Sequence, residues 1–327
     1  MFDEIIKDCK GFIGRNGFLF TSITHPANVY DSIYIRNVKD ESVQFRNFPR
    51  IDRILDEHVE FINKYQLEKA MVFADNLEFL NNTPSLKHLF LTIRYEGESR
   101  DYEPLYNMHR VKSLVINNSN FGKLTIPVDY SRIKGLEHLN IAEDGHLNFE
   151  TIETLKSLSI GSWKKKDLKD LFVSKRLDTL RMIQCGMYSL DGIEQSEKMQ
   201  CVYLHYNRSL RDISALANVK NTLKALRIEN CPKIEDFSVL EKLENLELLE
   251  LTGKNTLPSL QFLKKLDNLK TLVFDVNVLD GNLTPCLDLS YVHSKKNCKH
   301  YNVKDKDMPR GVYVRGNESI EMWRRME

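Results

Sequence analysis

The sequence has few of the features that mark membrane, fibrous or nucleic-acid-binding proteins. It contains no run of 18 apolar residues, so it predicts no transmembrane helix. With 14 glycines and 9 prolines in 327 residues, it is neither collagen-like nor a Gly/Ser-rich linker. Lys and Arg number 47 and Asp and Glu 46, and this net charge of +1 gives no support to a polycation that binds nucleic acid or a membrane. The hydrophobic content of 42% is enough for a packed core.

Cysteines are also scarce and are not spaced as a disulfide framework. The six of them lie far apart along 327 residues, which is well below the density of a disulfide-stabilised scaffold. The N-terminus carries Asp3 and Glu4 where a signal peptide needs a basic start followed by an apolar stretch. We therefore expect a cytoplasmic protein with reduced cysteines.

Sequence motifs for catalysis are missing as well. There is no P-loop, no dinucleotide-binding fingerprint, no His-Glu-x-x-His and no Gly-x-Ser-x-Gly. The sequence therefore predicts a protein that is not an enzyme and needs no cofactor.

One group of metal-ligand residue types occurs within 15 residues near the C-terminus. Its members are Cys286, His293, Cys298 and His300. Sulfur and imidazole ligands suit zinc, but this spacing matches no known zinc knuckle. The alternative is a capping hairpin in which His300 and Tyr301 pack on the rest of the fold. We predict no metal site and keep this group as a weak candidate.

What the sequence does contain is a repeat of the form apolar-x-x-apolar-x-apolar. Nine good copies follow one another at intervals of 19 to 25 residues. They begin at Leu86, Val111, Leu136, Leu155, Leu177, Met199, Leu223, Leu246 and Leu269. A weaker copy begins at Leu67. The last two apolar residues of each copy are two apart, which is strand periodicity, so each copy predicts one short strand that needs its neighbours to bury its apolar side.

This repeat resembles that of the leucine-rich-repeat family, and in particular the 22-residue class of bacterial internalin-like proteins. The resemblance implies an α/β solenoid, a horseshoe of about 9–10 repeats with a parallel sheet on its concave side and a cap at each end. We expect an N-terminal cap at residues 1–64, repeats at 65–280, and a C-terminal cap and tail at 281–327. The three-residue apolar spacing between copies, as from Leu257 to Leu269, predicts 3₁₀-like return segments.

Some expectations concern single elements. Residues 51–64 read as a helix with Ile54, His58, Phe61 and Ile62 on one side, and residues 286–292 as one last edge strand. The ninth position of a repeat holds Cys or Asn, which satisfies the turn after the strand. That position is occupied by Cys185, Asn207, Cys231 and Asn277.

In this fold the residues between the strand leucines project from the concave sheet, where a partner protein would bind. We predict that Arg181, Tyr203 and Arg227 form one exposed row that continues to Glu250, because Tyr and Arg are enriched in binding hot spots. The full predicted partner site is Arg181, Ile183, Tyr203, His205, Tyr206, Arg227, Glu229, Glu250 and Asp275. The alternative is that these polar residues only keep the face soluble. The early group Met71, Phe73 and Phe90 is either covered by the N-terminal cap or a second contact surface.

The sequence thus predicts a protein–protein interaction module that is a monomer when unbound and binds neither nucleic acid nor membrane. Three roles fit such a module. It could be a bacterial immunity protein (an antitoxin) that neutralises a cognate toxin or effector. It could instead be a secreted internalin-like virulence or adhesion protein, or a generic intracellular adaptor.

Overall fold

The computed structural model describes residues 20–21, 32–37, 55–74, 77–93, 101–118, 127–142, 146–171 and 174–314. The chain divides into two compact units, with the boundary between Leu155 and Lys156. Each unit is built on a sheet of short parallel strands. Among the described residues, none of the helices has the length and apolar character that crossing a membrane requires.

The first unit carries its strands in the order in which they occur in the sequence. Its strands are β1 (Phe20–Thr21), β2 (Ser32–Asn37), β3 (Lys69–Ala74), β4 (His88–Ile93), β5 (Ser113–Asn118), β6 (Val128–Asp129), β7 (His138–Ala142) and β8 (His146–Leu147). Strands β2, β3, β4, β5 and β7 pair in parallel, β1 adds antiparallel to β2, and β6 and β8 form a separate short pair. Its helices are α1 (Leu55–Tyr65), α2 (Glu103–Tyr106) and 3₁₀ segments at Glu78–Asn82, Tyr130–Arg132 and Phe149–Thr151.

The second unit repeats the same arrangement more regularly. Its strands are β9 (Ser157–Gly161), β10 (Thr179–Ile183), β11 (Cys201–His205), β12 (Ala225–Glu229), β13 (Leu248–Thr252), β14 (Thr256–Leu257), β15 (Thr271–Phe274), β16 (Asn277–Val278) and β17 (Tyr291–Ser294). The sheet order is β9-β10-β11-β12-β13-β15-β17, and every one of these neighbours is parallel. Strands β14 and β16 form a second short pair. The 3₁₀ segments are Ile193–Gln195, Ser214–Val219, Ser238–Lys242, Gln261–Lys265, Thr284–Asp288 and Asp305–Asp307.

The repeat pattern places each predicted strand where the structure has one. Leu180, Leu226 and Leu249 occupy equivalent positions on β10, β12 and β13, and all three are fully buried. Successive side chains of a strand point to opposite faces, so these leucines form one side of the core and the residues between them face the other way. The leucines at three-residue spacing close the core from behind, and Leu257, Leu260 and Leu263 are all buried.

One predicted element is confirmed in its described part and another differs in position. Helix α1 spans Leu55–Tyr65 and buries His58, Phe61 and Ile62, as predicted, while the predicted start at residues 51–54, with Ile54, lies outside the described residues. Strand β2 lies in the region predicted to cap the repeats, yet it pairs in parallel with β3. The predicted edge strand at 286–292 is wrong in position. A 3₁₀ segment with Pro285 in its first turn occupies Thr284–Asp288 instead, and the strand β17 comes at Tyr291–Ser294.

The turn after each strand of the second unit is held by a repeated set of backbone bonds. Gln184, Tyr206 and Asn230 follow β10, β11 and β12, and all three have a left-handed backbone with φ near +50°. Their N–H groups donate to the backbone oxygen that ends the next strand, at 2.9 Å in each case. This places the tyrosine at position 206 at the edge of the sheet in a fixed direction.

The predicted ninth-position residues support these turns from the inside. The Asn207 side chain accepts from the Cys185 N–H at 2.8 Å and donates to the Met182 carbonyl at 3.0 Å. Cys185 and Cys231 are buried with their Sγ atoms against backbone carbonyls, as predicted for structural cysteines. In the next repeat it is Asn255, one position later than the pattern predicts, that donates to the Cys231 and Ile234 carbonyls.

Candidate functional site

The predicted row of binding residues exists on the second unit. We call the face of its sheet opposite the leucine core the front face. Register pairs Arg181 with Tyr203, Tyr203 with Arg227 and Arg227 with Glu250 on the consecutive strands β10 to β13. These four residues, which we call the charged row, therefore stand side by side at a spacing of about 4.8 Å per strand.

The charged row is buried, which corrects the prediction that it is exposed. The exposed fraction is 1% for Arg181 and Arg227, 2% for Tyr203 and 5% for Glu250. A bare sheet face would leave side chains of this length in water. Part of the cover is visible in the C-terminal region of the same unit, which no local sequence pattern links to these strands.

Residues after the last strand lie on the front face. The Tyr313 ring packs against the cluster of Cys201, Tyr203, Ala225 and Leu248. The Val314 N–H donates to the Thr271 hydroxyl at 2.9 Å, which brings the chain back onto β15. Tyr313 also meets the ring of Tyr291 edge-on at 5.2 Å between centroids.

Within the charged row the side chains interact with one another. The guanidinium carbon of Arg181 lies 5.0 Å from the centroid of the Tyr203 ring, which is cation–π geometry. The Arg227 Nε atom is 3.7 Å from a Glu250 carboxylate oxygen, and Lys295 approaches the other oxygen at 3.9 Å. Buried charges are tolerated only when they are paired, so the ion pair between Arg227 and Glu250 is what permits these two charges on a covered face.

A second group lies two residues further along the strands and reaches the surface. The Tyr203 hydroxyl donates to Glu229 at 2.7 Å and lies 3.2 Å from His205 Nδ1. His205 Nε2 is 3.5 Å from the other oxygen of Glu229. The ring of Tyr206 stacks at 4.4 Å on His205 and is 38% exposed. We call His205, Tyr206 and Glu229 the edge cluster.

The remaining two predicted site residues differ in position. Ile183 ends β10 in register with His205, is half-buried and borders the edge cluster. Asp275 instead supports a turn, since its carboxylate accepts from the Gly253 N–H and its own N–H donates to Leu251. The structure therefore joins eight of the nine predicted residues on one face and assigns Asp275 to the turn after β13.

The fold is identified by its parallel strands, which recur with the sequence repeat and bury apolar residues on one side. Short 3₁₀ segments connect each strand to the next. The chain is a leucine-rich-repeat solenoid. It is similar to an internalin (InlF) of Listeria monocytogenes, with 17% identity and a TM-score of 0.49 over 76% of this chain and 73% of that one. It is similar to a leucine-rich-repeat protein of Leptospira interrogans, with 17% identity and a TM-score of 0.48 over 73% and 69%.

A third similar structure is internalin C2 of Listeria monocytogenes, with 19% identity and a TM-score of 0.37 over 60% of this chain and 74% of that one. No protein-family model matches the chain, and no curated protein matches it. The leucine-rich-repeat assignment thus rests on the repeat and the strand topology themselves.

The weak zinc candidates are not brought together at the end of the repeats. Cys286 is fully buried, and burial raises the pKa of its thiol to about 12. His293 Nδ1 lies 3.2 Å from the Asp305 carboxylate, while His300 Nε2 donates to the Val278 carbonyl at 2.9 Å. Within the described ranges, no three His, Cys, Asp or Glu residues are arranged to hold a metal ion. As the alternative predicted, His300 and Tyr301 pack on the last repeats, where the Tyr301 hydroxyl accepts from the Val278 N–H.

The first unit has a different front row. Phe73 and Phe90 are buried, and Met71 is half-buried in register with Phe90. Of the two alternatives for this early group, the burial of both phenylalanines favours a covered face over a second contact surface. The neighbouring row contains His88, whose Nδ1 lies 2.8 Å from the Ser113 hydroxyl. Burial, followed by the nearby Lys69, lowers the pKa of His88 below its ordinary value.

The sequence analysis missed front-face residues at the start of a strand, because they do not lie between two leucines of the repeat pattern. Cys201, at the start of β11, is 2% exposed and belongs to the cluster against which Tyr313 packs. Thr271 holds Val314. A signal was present in the stretch from Gly311 to Val314, where apolar residues recur after the last repeat with no leucine core to join.

Proposed function

We propose that this protein is a non-enzymatic module that binds a partner protein through the front face of its second unit. The observation that carries the proposal is the edge cluster, which reaches the surface beside the buried charged row and is held by hydrogen-bonded strands. Side chains on hydrogen-bonded strands lose little entropy when they bind, which favours this face over a loop.

The edge cluster supplies the first accessible contact. Tyr206 is the most exposed member, and its ring is oriented by the left-handed turn and by His205. Tyrosines held in this way recur among the residues that dominate binding energy. Glu229, half-buried beside it, gives the contact a negative charge and favours a partner with a basic group at that point.

The finer role is proposed on the sequence alone. An immunity protein that neutralises a toxin, a secreted internalin-like adhesion protein and an intracellular adaptor would all use such a face. They differ in the identity and the compartment of the partner, so the same capture experiment distinguishes them.

The test is affinity capture from the native cells with a tagged full-length protein, with its Tyr206→Asn variant and with a Tyr188→Asn control. Asparagine occupies the equivalent left-handed position at Asn230, so the first change keeps the turn. Tyr188 is 46% exposed and lies outside the front-face strands. We expect a stoichiometric partner with the wild type and the control, and a clear loss with Tyr206→Asn. A partner retained equally by all three would refute the front face as the site, and no partner at all would refute the module.

A further inference from the structure

The edge cluster combines a carboxylate, an imidazole and an exposed tyrosine ring at the accessible side of the front face. The Glu229 side chain is 28% exposed and the His205 side chain 14%. The Tyr206 N–H donates to the Glu229 carbonyl at 2.9 Å, which fixes the ring and the carboxylate at neighbouring backbone positions. We propose that this cluster is a receptor for one arginine side chain of the partner, and that a proton on His205 competes with this arginine for Glu229. The receptor rests on the proposed function, since it names the chemistry of the partner at the same site.

The first unit holds an arginine of its own with the same two residue types. The Arg132 guanidinium donates to both carboxylate oxygens of Glu103 at 2.7 Å, and its central carbon lies 4.0 Å from the centroid of the Tyr106 ring. A planar guanidinium can stack on a tyrosine ring and donate hydrogen bonds in its own plane at the same time, which a lysine ammonium cannot. A tyrosine next to a glutamate therefore favours arginine over lysine.

In the edge cluster a histidine stands beside the glutamate. The Tyr203 hydroxyl has one hydrogen, and it donates this hydrogen to Glu229 Oε2 at 2.7 Å. It therefore accepts from His205 Nδ1 at 3.2 Å, which assigns the hydrogen of the neutral ring to Nδ1. The other ring nitrogen, Nε2, lies 3.5 Å from Glu229 Oε1 and takes the second proton. Protonation of His205 thus places a positive charge next to this carboxylate.

The residues around His205 make it the pH-sensitive member of the site. The titratable and charged side chains near it on its own segment and on the strands to either side are Tyr203, Tyr206, Arg181, Arg227 and Glu229. Tyrosines, arginines and carboxylates ordinarily keep one charge state between about pH 5.5 and pH 7.5, whereas an imidazole changes its charge in this range. A change of binding over this range therefore reports the proton on His205.

Arginine binding and protonation are linked through Glu229. With a neutral His205 ring, the carboxylate keeps its full negative charge for a guanidinium that approaches from the exposed side. With an imidazolium at 3.5 Å, the same charge is already compensated from the inside, and the guanidinium gains less. The coupling is reciprocal, so a bound arginine makes His205 harder to protonate by the same factor. The partner is held near neutral pH and released in mild acid.

Capped tripeptides test the receptor in the full chain with no partner present. The probes are acetyl-Gly-Arg-Gly-amide, its lysine analogue and its citrulline analogue, which has the shape of arginine without the charge. NMR signals of the histidine rings report binding, and the His205 signal is assigned by its absence in His205→Gln. The test variant is Glu229→Gln. The matched control is Glu235→Gln, at an exposed position of the second unit.

We expect the arginine probe to shift the His205 signal at pH 7.5 in the wild type and in the control, the lysine probe to bind more weakly, and the citrulline probe to have no effect. Glu229→Gln should abolish the binding and move the titration midpoint of His205 to lower pH. For an imidazole that titrates near 6.5, full competition makes binding about tenfold weaker at pH 5.5 than at pH 7.5. The arginine probe should in turn lower the titration midpoint of His205.

Equal affinity at the two pH values in the wild type would overturn the competition, and this comparison needs no variant. Citrulline binding as tightly as arginine, or binding unchanged by Glu229→Gln, would overturn the receptor. Lysine binding as tightly as arginine would overturn the preference for a guanidinium. A partner captured from cells without arginine binding here refutes only the receptor, whereas arginine binding without any captured partner refutes only the module.

Discussion

Replacing Asn207 by alanine tests the hydrogen bonds that hold the turns after β10 and β11, next to the edge cluster. The Asn207 side chain is fully buried and satisfies two backbone groups, the Cys185 N–H and the Met182 carbonyl. Alanine leaves both groups buried without their partner. Each such group costs about 1–3 kcal/mol, so the expected loss in the free energy of unfolding is about 2–6 kcal/mol. That is a large part of the stability of an ordinary domain.

Urea unfolding followed by far-UV circular dichroism measures this loss as a shift in midpoint at a similar slope. Asn221→Ala is the control, because Asn221 is exposed and a surface change of this kind stays within about 0.5 kcal/mol. Asn207→Cys should lie between the two, since Cys231 fills the same position one repeat later. A loss below about 1 kcal/mol for Asn207→Ala would refute the reasoning that these two bonds hold the turn.

Three further predictions concern the core, a tight turn and pH. Leu226→Ala, in a fully buried position, should cost about 2–5 kcal/mol in urea unfolding, and a loss under 1 kcal/mol would contradict the stacking of the repeats. Gly192→Ala should lower the melting temperature clearly, because φ is +103° and an added Cβ would lie 2.5 Å from the backbone of Leu168; an unchanged value would contradict this turn. The lowered pKa of His88 means that its contribution to stability is present above its unfolded pKa near 6.5 and is lost as pH falls through the folded pKa. The melting temperature should therefore fall from pH 7.5 to pH 5.5, and His88→Gln should reduce that fall; an identical slope would contradict it.

The fold can be predicted from the sequence wherever the same residue pattern indicates both the position of a strand and the side of it that is buried. Leu180 and Leu249 could be placed in the core because each repeat must bury its leucines against the next repeat. The repeat period therefore also predicts which residues pack together. The segment 29–36 reads as a strand, but the parallel pairing of Ser32–Asn37 with β3 could not be predicted in this way, since the segment has no leucine pattern. The last strand lies later than predicted for a local reason, because a 3₁₀ segment with Pro285 in its first turn occupies Thr284–Asp288.

The candidate site could be predicted in position but not in environment. Alternation along a strand is enough to place Arg181, Tyr203 and Arg227 in one row. Part of the cover over Tyr203 is Tyr313, which follows it by more than a hundred residues. Local sequence patterns contain no information about such a contact. Where the chain after the last strand packs depends on the side chains of the sheet that it contacts, not on any periodicity of its own.

The charged row is costly as a stabilising element, and this cost argues for recognition. A buried ion pair is often no more stabilising than well-packed apolar side chains of similar volume. The first unit shows that this fold accepts the apolar solution, since Tyr34, Phe90 and Val115 are buried in its front row on strands of the same kind. Arginines at the equivalent positions of the second unit therefore do something that phenylalanine or valine would not. Charged groups reject occupants that leave them unpaired, and an apolar row would accept many. Selectivity for a partner whose groups can pair with these charges accounts for the charge where stability alone does not.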